Sequence, residues 1–201
     1  MRAGDPVLRA AWLAQPAYLI GEVLIGLVTG VTYSFRDNTI SALGTSCGSD
    51  VVSGCSSAPA AMNVVFIVFG VLQALGAVLL LRRSPRSHQL VGTLWAVAGL
   101  FSILVGLLPV DDHPTAHTLV ALPVFVAQPL AILLHARLMP AGATRRTGLV
   151  LGVVAVSGAV AFAALLGSAT WEGAVERVTI WPAKIWLLLA AVTMLRGERR
   201  P

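Results

Sequence analysis

Charge is what this chain lacks. Asp, Glu, Lys and Arg together make up 11% of its 201 residues, where an average soluble domain has about 25%. Lysine is scarcer still, with Lys184 the single example. The basic residues form no block, so the net charge of +5 is no nucleic-acid signal. Cysteine is limited to Cys47 and Cys55, with no thiol-exchange motif around them. No internal repeat is evident, and little of the chain is left over for a soluble domain.

Apolar residues are abundant: they make up 57% of the chain, and mean hydropathy is +0.84. They gather into six runs, Leu8–Val31, Ala60–Leu81, Gln89–Leu108, Thr118–Leu138, Gly148–Gly167 and Val178–Leu195. A helix needs about 20 mostly apolar residues to cross a bilayer core. Lipid offers the backbone no hydrogen-bond partner, so such runs must be helical. The expected fold is therefore all-α: a six-helix transmembrane bundle, with residues 1–201 as a single membrane domain. The first run is too long for the apolar part of a signal peptide and is expected to be retained.

The orientation follows from the arginines. Arg2, Arg9, Arg82, Arg83, Arg86, Arg137, Arg145, Arg146, Arg196, Arg199 and Arg200 all fall on one side, leaving Arg36, Arg177 and Lys184 toward the other. Asp37, Asp50, Asp111, Asp112, Glu172 and Glu176 lie in the opposite loops. The positive-inside rule then places both termini in the cytoplasm of a multi-pass plasma-membrane protein. The Ala-, Val- and Arg-rich composition suggests a bacterial source. The longest outer loop, residues 33–59, holds both cysteines, and in an oxidising compartment a Cys47–Cys55 disulfide is the expectation.

Several residues carry packing signals. Ala155, Ala159, Ala163 and Gly167 recur every four residues, a stripe that lets a neighbouring helix come close. Pro123, Pro129 and Pro182 interrupt two spans. Trp171 and Trp181 suit an outer aromatic belt and Trp12 an inner one. His88 and His135 read as interface residues.

Candidate chemistry lies among polar groups in or beside the membrane. Glu22 and Lys184 are opposite charges at similar expected depth, and buried charges tend to pair, so a Glu22–Lys184 interaction is predicted. Asn63 and Ser102 could face the same region, giving with Asn38 and Thr39 a polar pocket that opens outward. The densest cluster is Asp111-Asp112-His113-Pro114-Thr115-Ala116-His117. Asp111, His113 and His117 could hold a divalent metal such as zinc, and Asp111 and His117 could act as acid and base. A helix start explains Asp111, Asp112 and Pro114 equally well, though not His117.

The turn Asn38-Thr39-Ile40-Ser41-Ala42-Leu43-Gly44, and the later Leu108-Pro109-Val110-Asp111 with His113-Pro114 and His117, resemble the prokaryotic membrane family catalogued as domain of unknown function 998. Ala42 stands where many relatives would carry an acid. The resemblance implies a six-helix bundle with polar motifs on its outer face, and brings no activity with it. Two function classes are expected. One is a protein whose outer pocket holds an outer-leaflet lipid or small amphiphile, with membrane lipids rather than nucleic acid as partners. The other is a metal-dependent intramembrane lipid hydrolase using Ser41, Asp111 and His117.

Overall fold

The computed structural model describes residues 5–29, 33–47, 54–83 and 85–198. Arg2, Asp50, Arg199 and Arg200, and the last residues of the first expected span, Gly30 and Val31, lie outside the described residues. Seven α-helices are described: α1 (Pro6–Leu13), α2 (Ala17–Thr29), α3 (Pro59–Arg83), α4 (Gln89–Leu107), α5 (Pro114–Leu138), α6 (Ala143–Leu165) and α7 (Glu172–Glu198). Short 3₁₀ turns occupy Ser41–Gly44 and Arg86–His88. Among the described residues extended pairing is limited to an isolated bridge between Ser46 and Ser56.

Among the described residues six segments are long and apolar enough to cross a membrane, with α1 and α2 together forming the first, Pro6–Thr29. That span is broken at Ala14-Gln15-Pro16, because Pro16 has no N–H to give and its ring clashes with the preceding turn. The break frees Gln15, which is fully buried and donates to the Phe69 carbonyl at 3.2 Å. By contrast α5 and α7 run on through Pro123, Pro129 and Pro182.

The helices follow one another around the bundle. α3 packs on α4, α4 on α5, α5 on α6, and α6 on α7; α7 and α3 both meet α1, which closes the ring. Leucine, isoleucine and valine side chains such as Ile20, Leu27, Leu119, Val150 and Val160 point outward, each over 60% exposed. That outward display suits a lipid surround and would be a liability in water.

Two apolar clusters fill the interior among the described residues. One, toward the arginine-rich end, gathers Trp12, Trp95, Trp186, Leu187 and small alanines from α1, α3, α4, α5, α6 and α7. The other, toward the disulfide end, gathers Tyr18, Ile25, Tyr33, Ile40, Leu43, Met62 and Phe66. Trp12 belongs to the first cluster: it is fully buried against Trp95 and His135, so it is a core residue rather than part of an aromatic belt. The small-residue stripe on α6 is also shifted. Gly148, Gly152, Ala155 and Gly158 are the buried positions, and a Cβ at Gly158 would meet the Thr179 backbone nitrogen at 2.8 Å. Ala159, Ala163 and Gly167 instead line a cavity.

Candidate functional site

The disulfide end is capped by residues 33–47, which fold over the start of α7. The first amides of a helix lack intrahelical partners. Here Gly173 N–H donates to the Asp37 carbonyl at 3.3 Å and Ala174 N–H to the Arg36 carbonyl at 2.8 Å. Gly173 is required by this contact, since any Cβ there would run into the Asn38 carbonyl. The Asp37 carboxylate accepts from Arg36 Nε at 2.8 Å, from Trp171 N–H at 3.1 Å and from Ser34 Oγ at 3.0 Å. Hydrogen bonds from Arg36, then from the Trp171 backbone, hold the Asp37 carboxyl down at about 2. Cys47 and Cys55 close the far side of the cap as a disulfide, Cα to Cα 4.7 Å.

Arg177 ties this cap to the bundle. Its Nε donates to Glu22 Oε1 at 2.8 Å, and its Nη1 donates to the carbonyls of Phe35 (2.8 Å), Asn38 (3.1 Å) and Gly173 (2.8 Å). Its Nη2 donates to the Tyr33 hydroxyl. That hydroxyl in turn donates to the carbonyls of Asn38 and Thr39 at 3.2 and 2.9 Å. Burial pushes the Tyr33 phenol up, so it keeps the proton it donates. Trp181 Nε1 donates to the second Glu22 oxygen at 2.8 Å. Glu22 is thus fully buried with both oxygens engaged.

The predicted Glu22–Lys184 pair is therefore corrected to Glu22–Arg177. The helix begins at Glu172 and not at Val178, which carries Arg177 off the expected loop and into the bundle. At about 1.5 Å per residue, Arg177 sits roughly 8 Å into α7, Lys184 about 18 Å, and Glu22 roughly 10 Å from the end of α2. Lys184 lies too deep to meet Glu22. It donates instead to Gln73 Oε1 at 3.0 Å and Gln15 Oε1 at 3.2 Å, and its Nζ lies 4.8 Å from the centre of the Tyr18 ring. Neutral amides and a ring face thus stand in for a counter-ion.

Ser41 and His117 meet across the cap. His117 Nδ1 lies 2.7 Å from the Leu108 carbonyl, and Nε2 lies 2.9 Å from Ser41 Oγ. A carbonyl can only accept, so Nδ1 carries the proton, Nε2 is left as an acceptor, and Ser41 donates to it. The Leu108 carbonyl belongs to the end of α4, where helical carbonyls lack partners. Pro114 opens α5 and sets His117 one turn in, facing that carbonyl.

A cavity of about 560 Å³ lies beside this pair, between α5 and α6. Its walls are Ala121, Leu122, Phe125, Val126, Ala159, Phe162, Ala163 and Leu166, and its polar end holds Thr39, Ser41, His117, Glu172 and Glu176. Leu122, Val126 and Leu166 are 54%, 58% and 61% exposed, so the rim faces the surroundings of the bundle. Glu176 accepts from the Ile40 N–H, which fixes the turn carrying Ser41. A second space of about 30 Å³ lies deeper, bordered by Ser41, Ser102, Gln128, Glu176 and Lys184. A water needs about 10–15 Å³ of such space, and Gln128 Oε1 has no protein partner among the described residues.

The remaining expected residues divide clearly. Thr39 and Ser41 reach the larger cavity, and Ser102 and Lys184 the smaller. Asn63 donates to the Gly44 carbonyl at 3.1 Å and Ser102 to the Phe66 carbonyl at 3.2 Å, both helix-to-neighbour bonds. Asn38 and Glu22 hold the cap. Asp111, His113 and His117 do not form a metal site, and no such group of three is present among the described residues. His113 is exposed, both ring nitrogens of His117 are engaged with protein, and Asp111 accepts from Ser46 N–H at 3.0 Å. Pro114 is the cause, since it forces His113 out of the helix that carries His117. Glu176 and Arg177 were missed as site residues. The signal for Arg177 was its spacing with Trp181 and Lys184, which places all three on one helical face; Glu176 had none.

A bundle of six apolar helices with polar side chains tied into its interior defines a polytopic α-helical membrane protein. The chain belongs to the family described as protein of unknown function (DUF998), whose profile matches residues 12–193. No curated protein and no solved structure gave a match.

Proposed function

We propose that the protein binds a membrane lipid or small amphiphile from the outer leaflet. The chain would lie in the α5–α6 cavity and the polar group beside Ser41, Thr39, His117 and Glu176. The single observation that carries this reading is the cavity itself: about 560 Å³, within the range of small-molecule sites, apolar along its walls and polar at one end. In this reading the disulfide end faces outward, which the arginine distribution and the disulfide both support. Bilayer and cavity wall are similarly apolar, so moving an acyl chain between them gains little. Selection must therefore come from the polar end, where hydroxyl, imidazole and carboxylate converge.

The test is to fill the cavity. Gently purified protein should carry lipid detectable by mass spectrometry, and Ala163→Trp should lower that lipid by about tenfold or more, since one tenfold step is only about 1.4 kcal/mol. An unchanged lipid complement in a folded Ala163→Trp variant would contradict the reading.

A further inference from the structure

Resting on that lipid-binding reading, we infer that Ser41 and His117 act as nucleophile and general base in an acyl-transfer reaction on an ester-bearing amphiphile held in the α5–α6 cavity. The geometry has the three parts such a pair needs: a serine hydroxyl 2.9 Å from an imidazole nitrogen, the other nitrogen fixed at 2.7 Å by a third group, and a space beside both for the substrate. The Leu108 carbonyl selects the tautomer that leaves Nε2 basic, the orienting role that a carboxylate performs in other serine enzymes. His117 is 6% exposed, so bulk water does not compete for it. The walls admit a chain, and the reacting group would sit at the polar end.

The step balances without a metal or a redox partner. Ser41 Oγ bonds to the ester carbonyl carbon as its proton passes to His117 Nε2. The carbon–oxygen bond to the leaving alcohol then breaks, and that oxygen takes the proton from Nε2. Water, entering from the polar end, gives a proton to Nε2 and attacks the acyl-serine. The acid leaves, and Ser41 Oγ recovers the proton. Thr39, whose Oγ1 accepts from Ala42 N–H at 3.2 Å and borders the same cavity, has a hydroxyl hydrogen to offer the carbonyl oxygen. Glu176 is a positioning residue, since it acts on Ser41 through the Ile40 amide.

The experiment uses the full chain in lipid nanodiscs and a hexadecyl fluorophosphonate, which loses fluoride when an activated serine oxygen bonds to phosphorus. In parallel, a non-reactive hexadecyl phosphonate reports reversible binding. Peptide mass spectrometry should place the adduct on Ser41. His117→Gln should slow its formation by about 10²-fold or more when compared at saturating probe, where any change in binding drops out of the rate. Phosphonate binding with no adduct in the wild-type protein, or an adduct elsewhere, would overturn the inference and leave the cavity reading standing. Failure of the phosphonate to bind would overturn both. The wild-type adduct decides the matter even where a variant does not fold.

Discussion

The two ends of the bundle are built on different principles. The arginine-rich end is held by shape: three buried tryptophans sit among alanines and leucines, and Trp12, Trp95 and His135 keep ring nitrogens without hydrogen-bond partners among the described residues. The disulfide end is held by direction. There Arg177 makes five hydrogen bonds to Glu22, Tyr33 and three backbone carbonyls, and a loop carrying one short 3₁₀ turn is fixed over the helix ends. A packed apolar end tolerates no cavity, because every void forfeits contacts. A hydrogen-bonded end can keep one open, since its framework does not depend on filling space. The α5–α6 cavity and the Ser41–His117 pair both lie at the second end.

Removing one partner of the buried ion pair should give the largest loss. Arg177→Ala leaves the Glu22 charge buried and unmatched and should cost about 3–5 kcal/mol, read as unfolding in detergent. Replacing both, as Glu22→Leu with Arg177→Met, should restore much of that loss. A single variant no worse than the double would mean the directional framework is not what holds this end. At the packed end, Leu187→Ala should cost about 2–5 kcal/mol through the cavity it leaves. The cap should stay intact there, with lipid binding unchanged. A loss of binding in that variant would show that the two ends are not separable.

The smallest effect is acid sensitivity of the cap. Hydrogen bonds from Arg36 and from the Trp171 backbone hold the Asp37 carboxyl below the ordinary carboxylate range, at about 2, in the folded protein. Its contribution is therefore complete above about pH 4 and fades as pH falls toward 2. Proteolysis of the 33–47 cap should rise over that interval and should already be raised at neutral pH in Asp37→Asn. Equal acid sensitivity in the wild type and Asp37→Asn would remove Asp37 from the account.

The spans were legible because length and hydropathy are imposed by the bilayer, whatever the helices do next. The helix ends were less so. Glu172, Glu176 and Arg177 look like loop residues by charge, yet they form the first turns of α7 because the cap gives the helix amides their partners. Because the start of α7 was not legible, Lys184 was assigned to Glu22 when it lies deeper and meets Gln15 and Gln73. The acid-histidine cluster was visible as a cluster, but Pro114 separates its two histidines. The meeting of His117 with Ser41, 76 residues away in sequence, is a tertiary fact that local spacing does not carry.

The cavity can be examined most directly with a bifunctional fatty acid bearing a photoreactive group along its chain, crosslinked in intact membranes and mapped by peptide mass spectrometry. If the cavity holds an acyl chain, adducts concentrate on Leu122, Val126, Ala159, Phe162 and Ala163, and Ala163→Trp abolishes them. Adducts spread evenly over outward-facing positions such as Ile20, Leu27, Val150 and Val160 would contradict it.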